Sequence, residues 1–282
     1  MWKQIILDTL CLIIMGVPIL GIKYFAHTVK RGFTCDDQSI RLPFQHSTVK
    51  TQINLAISYT IPITIILFHR IYKYVTENMN TYSKKTLAKQ IWMEIKFFII
   101  GVLITQVISG AVKHISGRLR PNFIQVCNPT PSLTLEICGT YMNTKYITEY
   151  ECMGDPITFP DYEQRERYIA ETKLSFVSGH TSLSTYAMTY TIIYIQSRIG
   201  KPNAIKIQTT IIQTILLVYA IGCGISRITD NKHHVSDVVA GALLGFVIAC
   251  AIIISTKNNT KKWTERVQIN GINMHREQEA RV

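Results

Sequence analysis

Six stretches of the chain read as continuous apolar runs: roughly 5–26, 51–72, 91–112, 180–199, 207–226 and 235–255. Each is close to the ~20 residues that a helix needs to cross a hydrocarbon core, and charges inside them are few. Polar segments separate all six, which a soluble core does not account for. The pattern therefore predicts an all-α polytopic membrane protein with six transmembrane helices and a long extracellular or luminal loop between the third and the fourth. The fourth run stands apart, because Thr181 to Tyr190 is rich in hydroxyls and should face other helices instead of lipid. The first has Lys23 close behind it and no small-residue cleavage pattern, so it reads as a retained signal anchor. Residues 1–256 form one membrane domain in this reading, and the polar, basic stretch 257–282 is a flexible cytoplasmic tail.

Breakers and charges refine the elements. Pro62 predicts a kink in the second helix, and 73–90 reads as a polar cytoplasmic connection. Glu94 and Lys96 fall near the start of the third helix, where long side chains reach the interface. Gly117 and Pro121 end that helix. Residues 27–50 form a polar loop whose Lys30 and Arg31 read as solvated, and 122–175 form a longer loop, of a length that suits a lid or a substrate gate. Within the longer loop, Asp161 to Lys173 has the mixed charges of a short solvated helix. In the last apolar run, Gly241 and Gly245 have the spacing that lets two helices approach closely.

Composition adds orientation and compartment. The 282 residues carry a formal charge of +12, but the basic residues flank the apolar runs and make no nucleic-acid motif, so no nucleic-acid partner is expected. With both termini inside, the cytoplasmic side holds fifteen Lys and Arg against eight opposite, once the six from Arg118 to Lys173 are set aside with the long loop. That places both ends in the cytosol. Cys11, Cys223 and Cys250 lie within apolar runs, whereas Cys35, Cys127, Cys138 and Cys152 lie in loops on the far side. Those four can form two bridges in an oxidising compartment, with three pairings open. A zinc site is the rival reading, and the lack of a close Cys-x2-Cys pair argues against it.

The chemistry sits at three helix ends. Ser226-Arg227-x5-His233-x3-Asp237 runs into the last apolar segment. A helix starting near His233 would put Asp237 one turn away, so that the carboxylate holds one ring nitrogen and leaves the other free to attack. A polar turn between two helices is the plain alternative for so short a motif. Ser178-Gly179-His180 opens the fourth helix: Ser178 suits an N-cap, Gly179 admits close backbone approach, and amides at a helix start attract anions. Lys113 and Arg120 close the third helix, where interfacial anchoring is the plain alternative. All three clusters fall on one predicted membrane face. Three cations, a helix N-terminus and two histidines together describe a pocket for a phosphate monoester.

These residues resemble the type 2 phosphatidate phosphatases, the integral-membrane lipid phosphate phosphatases. That family's signature is matched as Lys113-x6-Arg120-Pro121, Val177-Ser178-Gly179-His180 and Ser226-Arg227-x5-His233-x3-Asp237, with Val177 where the broader pattern has proline. The resemblance implies that His233 is a nucleophile forming a phosphohistidine, that Asp237 orients it, and that His180 protonates the leaving oxygen and later activates water. Lys113, Arg120, Arg227, Ser178 and the Gly179 amide would hold the phosphoryl oxygens. No metal or other cofactor is implied, and His114 and His234 read as local packing or supporting groups. Expected substrates are phosphatidate, lysophosphatidate, sphingosine 1-phosphate and ceramide 1-phosphate at the cell surface, with the bilayer as the other partner. The same chemistry on a polyprenyl diphosphate or a sugar phosphate is an alternative, as are a non-enzymatic lipid-binding protein and a metal-ion transporter. Whether the chain forms a homo-oligomer is left open.

Overall fold

A computed structural model describes residues 2–76, 84–130, 146–198 and 206–256. The predicted tail 257–282 and Cys138 lie outside the described residues. Eight helices follow in chain order among them: α1 (Trp2–Phe25), α2 (Thr51–Thr76), α3 (Lys84–Ser116), α4 (Phe123–Cys127), α5 (Tyr162–Glu171), α6 (Gly179–Arg198), α7 (Lys206–Thr229) and α8 (Val235–Thr256).

Five of these, α1, α2, α3, α7 and α8, are long and apolar enough to cross a membrane. The fourth of the six predicted runs is α6, whose hydroxyls keep it outside that class; instead, eleven of its twenty residues are buried. It is the hub of the bundle, packing against α2, α3 and α7. Its contact with α8 uses the predicted glycine pair. A Cβ at Gly241 would lie 2.7 Å from the Ser178 carbonyl oxygen, and one at Gly245 would overlap that of Ser182. Only bare backbone fits there.

The outer surfaces are greasy. Ile13, Ile14 and Val17 on α1, Ile215 and Val218 on α7, and Leu243 and Val247 on α8 are all exposed. Polar residues turn inward: α2 buries Asn54, Ser58, Pro62, Ile66 and Arg70 at a four-residue spacing that forms one stripe. Apolar outside and polar inside is the arrangement that lipid, not water, stabilises.

Two expectations about α3 change. The helix begins at Lys84, so part of the supposed connection is helical. Glu94 does not snorkel: it is fully buried and ion-paired with Arg70 of α2. The counter-charge comes from another helix, through the close packing of α2 on α3. Lys96 pairs with Asp8 of α1 at 2.7 Å.

A small second layer caps one end. It includes two antiparallel pairs that an all-α reading omits, β1 (Phe33–Thr34) with β3 (Tyr146–Ile147) and β2 (Pro129–Thr130) with β4 (Glu151–Cys152). Phe33, Phe123 and Tyr150 meet edge to face at 5.3–5.7 Å between ring centres. A Cys127–Cys152 disulfide ties β4 to the end of α4, and Cys35 is also disulfide-bonded, while Cys11, Cys223 and Cys250 are free. The predicted short helix is α5, capped by the Asp161 carboxylate, which accepts from the Gln164 amide at 2.7 Å.

Candidate active site

Backbone hydrogen bonds, before any side chain, bring the three motifs together. α3 stops at Ser116 because Gly117 takes φ +54°, and the chain then runs alongside the approach to α6. There Arg120 N donates to Thr172 O (2.7 Å) and Ser175 N to Arg118 O (2.9 Å). Ser178 N donates to Asp237 O (3.0 Å), joining the second motif to the third. His234 Nε2 meets Leu119 O at 3.1 Å, closing the triangle. His114 has a similar supporting place, its Nδ1 lying 2.9 Å from Thr28 Oγ1.

α8 starts at Val235, so His233 precedes the helix instead of opening it. Asp237, in the first turn, accepts from the His234 amide at 2.9 Å, which caps the helix and fixes the carboxylate. The same carboxylate accepts from Ser175 Oγ and Arg118 Nη1, both at 2.6 Å. His233 Nδ1 lies 3.8 Å from Asp237 Oδ2, buried and without a hydrogen-bond partner. Asp237 is thus held in place by others, and the imidazole is left adjustable beside it.

A cavity of about 320 Å³ opens at this point. Lys113, Arg120, Gly179, His180 and His233, five of the eight residues singled out from the sequence, line it. Gly179 matters for a local reason: a Cβ there would stand 3.1 Å from Lys113 Nζ, so the bare backbone lets the ammonium reach the start of α6. Ser178, Arg227 and Asp237 stand beside the lining residues. Ser178 bonds Thr181 Oγ1 at 2.9 Å, consistent with its N-cap position. Arg227 donates to Asp230 Oδ2 at 2.6 Å.

The electrostatics are strongly positive. Arg118, Arg120, Lys113, Arg227 and Lys232 face the carboxylates Glu171, Asp230 and Asp237. Burial pushes the His233 imidazole down to about 3; Asp237 opposes this, and Arg120 and Lys113 add to it. His233 is therefore neutral at physiological pH, the state that can attack. Burial, followed by the charge of Arg120, brings Lys232 down to about 7, with Glu171 and Asp230 opposing. Burial lowers the Arg120 pKa as well, and the Glu171 carboxylate opposes that.

Sequence reasoning missed an entire contributor, the end of the first loop. Leu42 N donates to Pro121 O (2.8 Å), Phe44 N to Gln125 Oε1 (2.6 Å), and Asn231 Nδ2 to Pro43 O (2.9 Å). Thr48 donates twice to Asp230, from its amide at 2.9 Å and its hydroxyl at 2.6 Å. Lys232 Nζ lies 3.7 Å from the Phe44 ring centre. Thr51 Oγ1, at the start of α2, lies 3.5 Å from His180 Nε2. This strap binds the first and third motifs to each other. The only hint in the sequence was Pro43-Phe44 within an otherwise polar segment. Arg118, Ser175 and Glu171 were missed too, since each acts through a residue distant in sequence.

A membrane bundle whose helix ends gather cations, two histidines and a carboxylate around one cavity is the architecture of a phosphate-ester hydrolase. The PAP2 superfamily model matches residues 95–261, and the chain belongs to that family. Curated relatives agree. The putative phosphatidate phosphatase of Drosophila melanogaster is 32% identical over 279 residues, 92% of this chain and 71% of that one. Phospholipid phosphatase 2 is 30% identical in Rattus norvegicus, over 89% of this chain and 85% of the relative. The Homo sapiens protein of that name is 31% identical, over 89% and 82%. No solved structure matches. The chain is a membrane phosphatase of the type 2 lipid phosphate phosphatase kind, and lipid phosphate hydrolysis is its activity.

Proposed function

We propose that the chain hydrolyses lipid phosphate monoesters through a phosphohistidine on His233. The observation that carries this is the neutral, buried His233 lining one cavity with Lys113, Arg120, Gly179 and His180, beside the fixed Asp237. His233 Nε2 attacks phosphorus as the P–O bond to the lipid breaks, and His180, protonated once the bound phosphate dianion offsets the burial and the surrounding cations that disfavour its charge, gives its proton to the leaving alkoxide. The phosphorylated ring is then cationic, and Asp237, on the Nδ1 side, stabilises it. Water next attacks phosphorus, His180 takes its proton, and the P–N bond breaks to return neutral His233 and free phosphate. Lys113, Arg120 and Arg227, with Ser178 and the Gly179 amide, stabilise the charge on the phosphoryl oxygens. These protein cations supply the positive charge, so the reaction requires no metal.

The substrates in this reading are phosphatidate, lysophosphatidate, sphingosine 1-phosphate and ceramide 1-phosphate. The site faces the extracellular or luminal side of the plasma membrane, and both termini face the cytosol. The excess of basic residues at the opposite helix ends supports that orientation. The test is phosphate release from these lipids in mixed micelles containing chelator. Wild-type protein should turn over, and His233→Ala should release none. Activity that survives the substitution, or that chelator abolishes, overturns the mechanism.

A further inference from the structure

The cavity does not end at the phosphate-binding groups. Beyond Lys113 it continues along α3, walled by Ile19 of α1, Leu55 of α2 and Leu183 of α6, with Gly110 and Gln106 on the α3 side. Gln106 precedes Lys113 by seven residues, two helical turns, so both share one face, with Gln106 about 10 Å deeper along the axis. Gly110 and the small Ser109 lie between them, and a Cβ at Gly110 would meet only Ile22 of α1, at 3.4 Å. The Gln106 backbone carbonyl accepts from Ser109 Oγ at 3.3 Å. Its side-chain amide makes no hydrogen bond among the described residues.

Gln106 is half-buried, so its amide is open to a group that enters the groove. Of the other polar residues on that part of the wall, Asn54 and Ser109 hydrogen-bond within the chain, which leaves the Gln106 amide for an occupant to engage. The occupant reaches this depth as the chain attached to a phosphate held at Lys113. Going outward from phosphorus, a diacylglycerol phosphate and an N-acylated sphingoid phosphate present a carbonyl oxygen after the same number of bonds.

We propose that the Gln106 amide is a subsite for this carbonyl: its Nε2 donates to the ester or amide oxygen of the substrate backbone. The site then reads two features of a lipid phosphate, the phosphate at the histidines and an acyl carbonyl two turns deeper. This rests on the lipid phosphatase reading above and adds a selectivity that the phosphate groups by themselves cannot provide.

The experiment compares a diacylglycerol phosphate with its dialkyl ether analogue of equal chain length, in mixed micelles. Wild-type protein should favour the ester by roughly tenfold in kcat/KM, the upper scale of one net hydrogen bond. Gln106→Leu should bring the ester-to-ether ratio close to one. Equal wild-type rates on the two lipids overturn the subsite, as does a ratio that Gln106→Leu leaves unchanged. The wild-type comparison involves no variant, so a misfolded variant cannot shield the idea. If the wild type hydrolyses neither lipid, it is the lipid phosphatase reading that fails.

Discussion

Both ends of the helix bundle bury charge, and they do so in opposite ways. At the end away from the motifs, Glu94 is enclosed: Oε2 accepts from Arg70 Nε (2.8 Å) and Tyr194 OH (2.9 Å), and Oε1 pairs with Arg70 Nη2. His69 Nδ1 reaches the same tyrosine at 2.8 Å, and Gln90 Oε1 accepts from Arg70 at 3.2 Å. The void beside this cluster measures about 60 Å³. At the motif end, five cations gather with three carboxylates beside a cavity of about 320 Å³ that Lys113, Arg120 and Glu171 line. A saturated network joins helices, whereas an unbalanced one beside a cavity awaits an anion. The physical difference is whether each charge finds its partner within the chain.

Substitutions at the two ends should separate stability from turnover. Glu94→Leu leaves Arg70 buried without a counter-charge and should cost about 3–5 kcal/mol of stability, read as a fall in thermal midpoint in detergent, with the folded fraction still active. The pair Arg70→Met with Glu94→Leu should recover most of that loss. Arg120→Met should do the reverse, keeping the midpoint and lowering kcat by about 10²–10³. A midpoint unaffected by Glu94→Leu would remove the contrast.

The pH dependence sharpens the same comparison. His233, depressed to about 3, is neutral across the working range, so its protonation should not slow the reaction until the pH falls to that value. Lys232, at about 7, is charged below neutrality and neutral above it. As the pH rises through 7 the site loses a positive charge, so KM for an anionic lipid should climb. In Lys232→Met, KM should be high throughout and its rise near pH 7 absent. A wild-type KM that is flat from pH 6 to 8 would contradict this.

The smallest effect is expected at the strap. Thr48→Val removes the 2.6 Å hydroxyl bond to Asp230, the residue that braces Arg227, and should raise KM by less than about tenfold. Unchanged kinetics would show that the amide bond of Thr48 holds Asp230 sufficiently.

Legibility from sequence followed distance along the chain. The apolar runs mark α1, α2, α3, α6, α7 and α8, because a helix in lipid satisfies its own backbone and needs only a long enough apolar stretch. Gly117, Ser178 and the Gly241/Gly245 pair acted as read, since turns, caps and close contacts depend on the residue itself. Glu94 was misread because an acid near a helix end looks alike whether it meets water or Arg70. Arg118 passed as one more loop charge, although it donates to Asp237, 119 positions away.

The sequence by itself determined which segments become helices and where His180, His233 and the phosphate-binding cations stand along them, because periodicity and local spacing are properties of a single stretch of chain. Only the tertiary structure decided which carboxylate restrains which cation, that the first loop straps two motifs together, and that Ile19, Leu55 and Leu183 wall the groove along which Gln106 and Lys113 lie. Those depend on through-space approach between distant segments, and nothing in the order of residues records which pairs will meet.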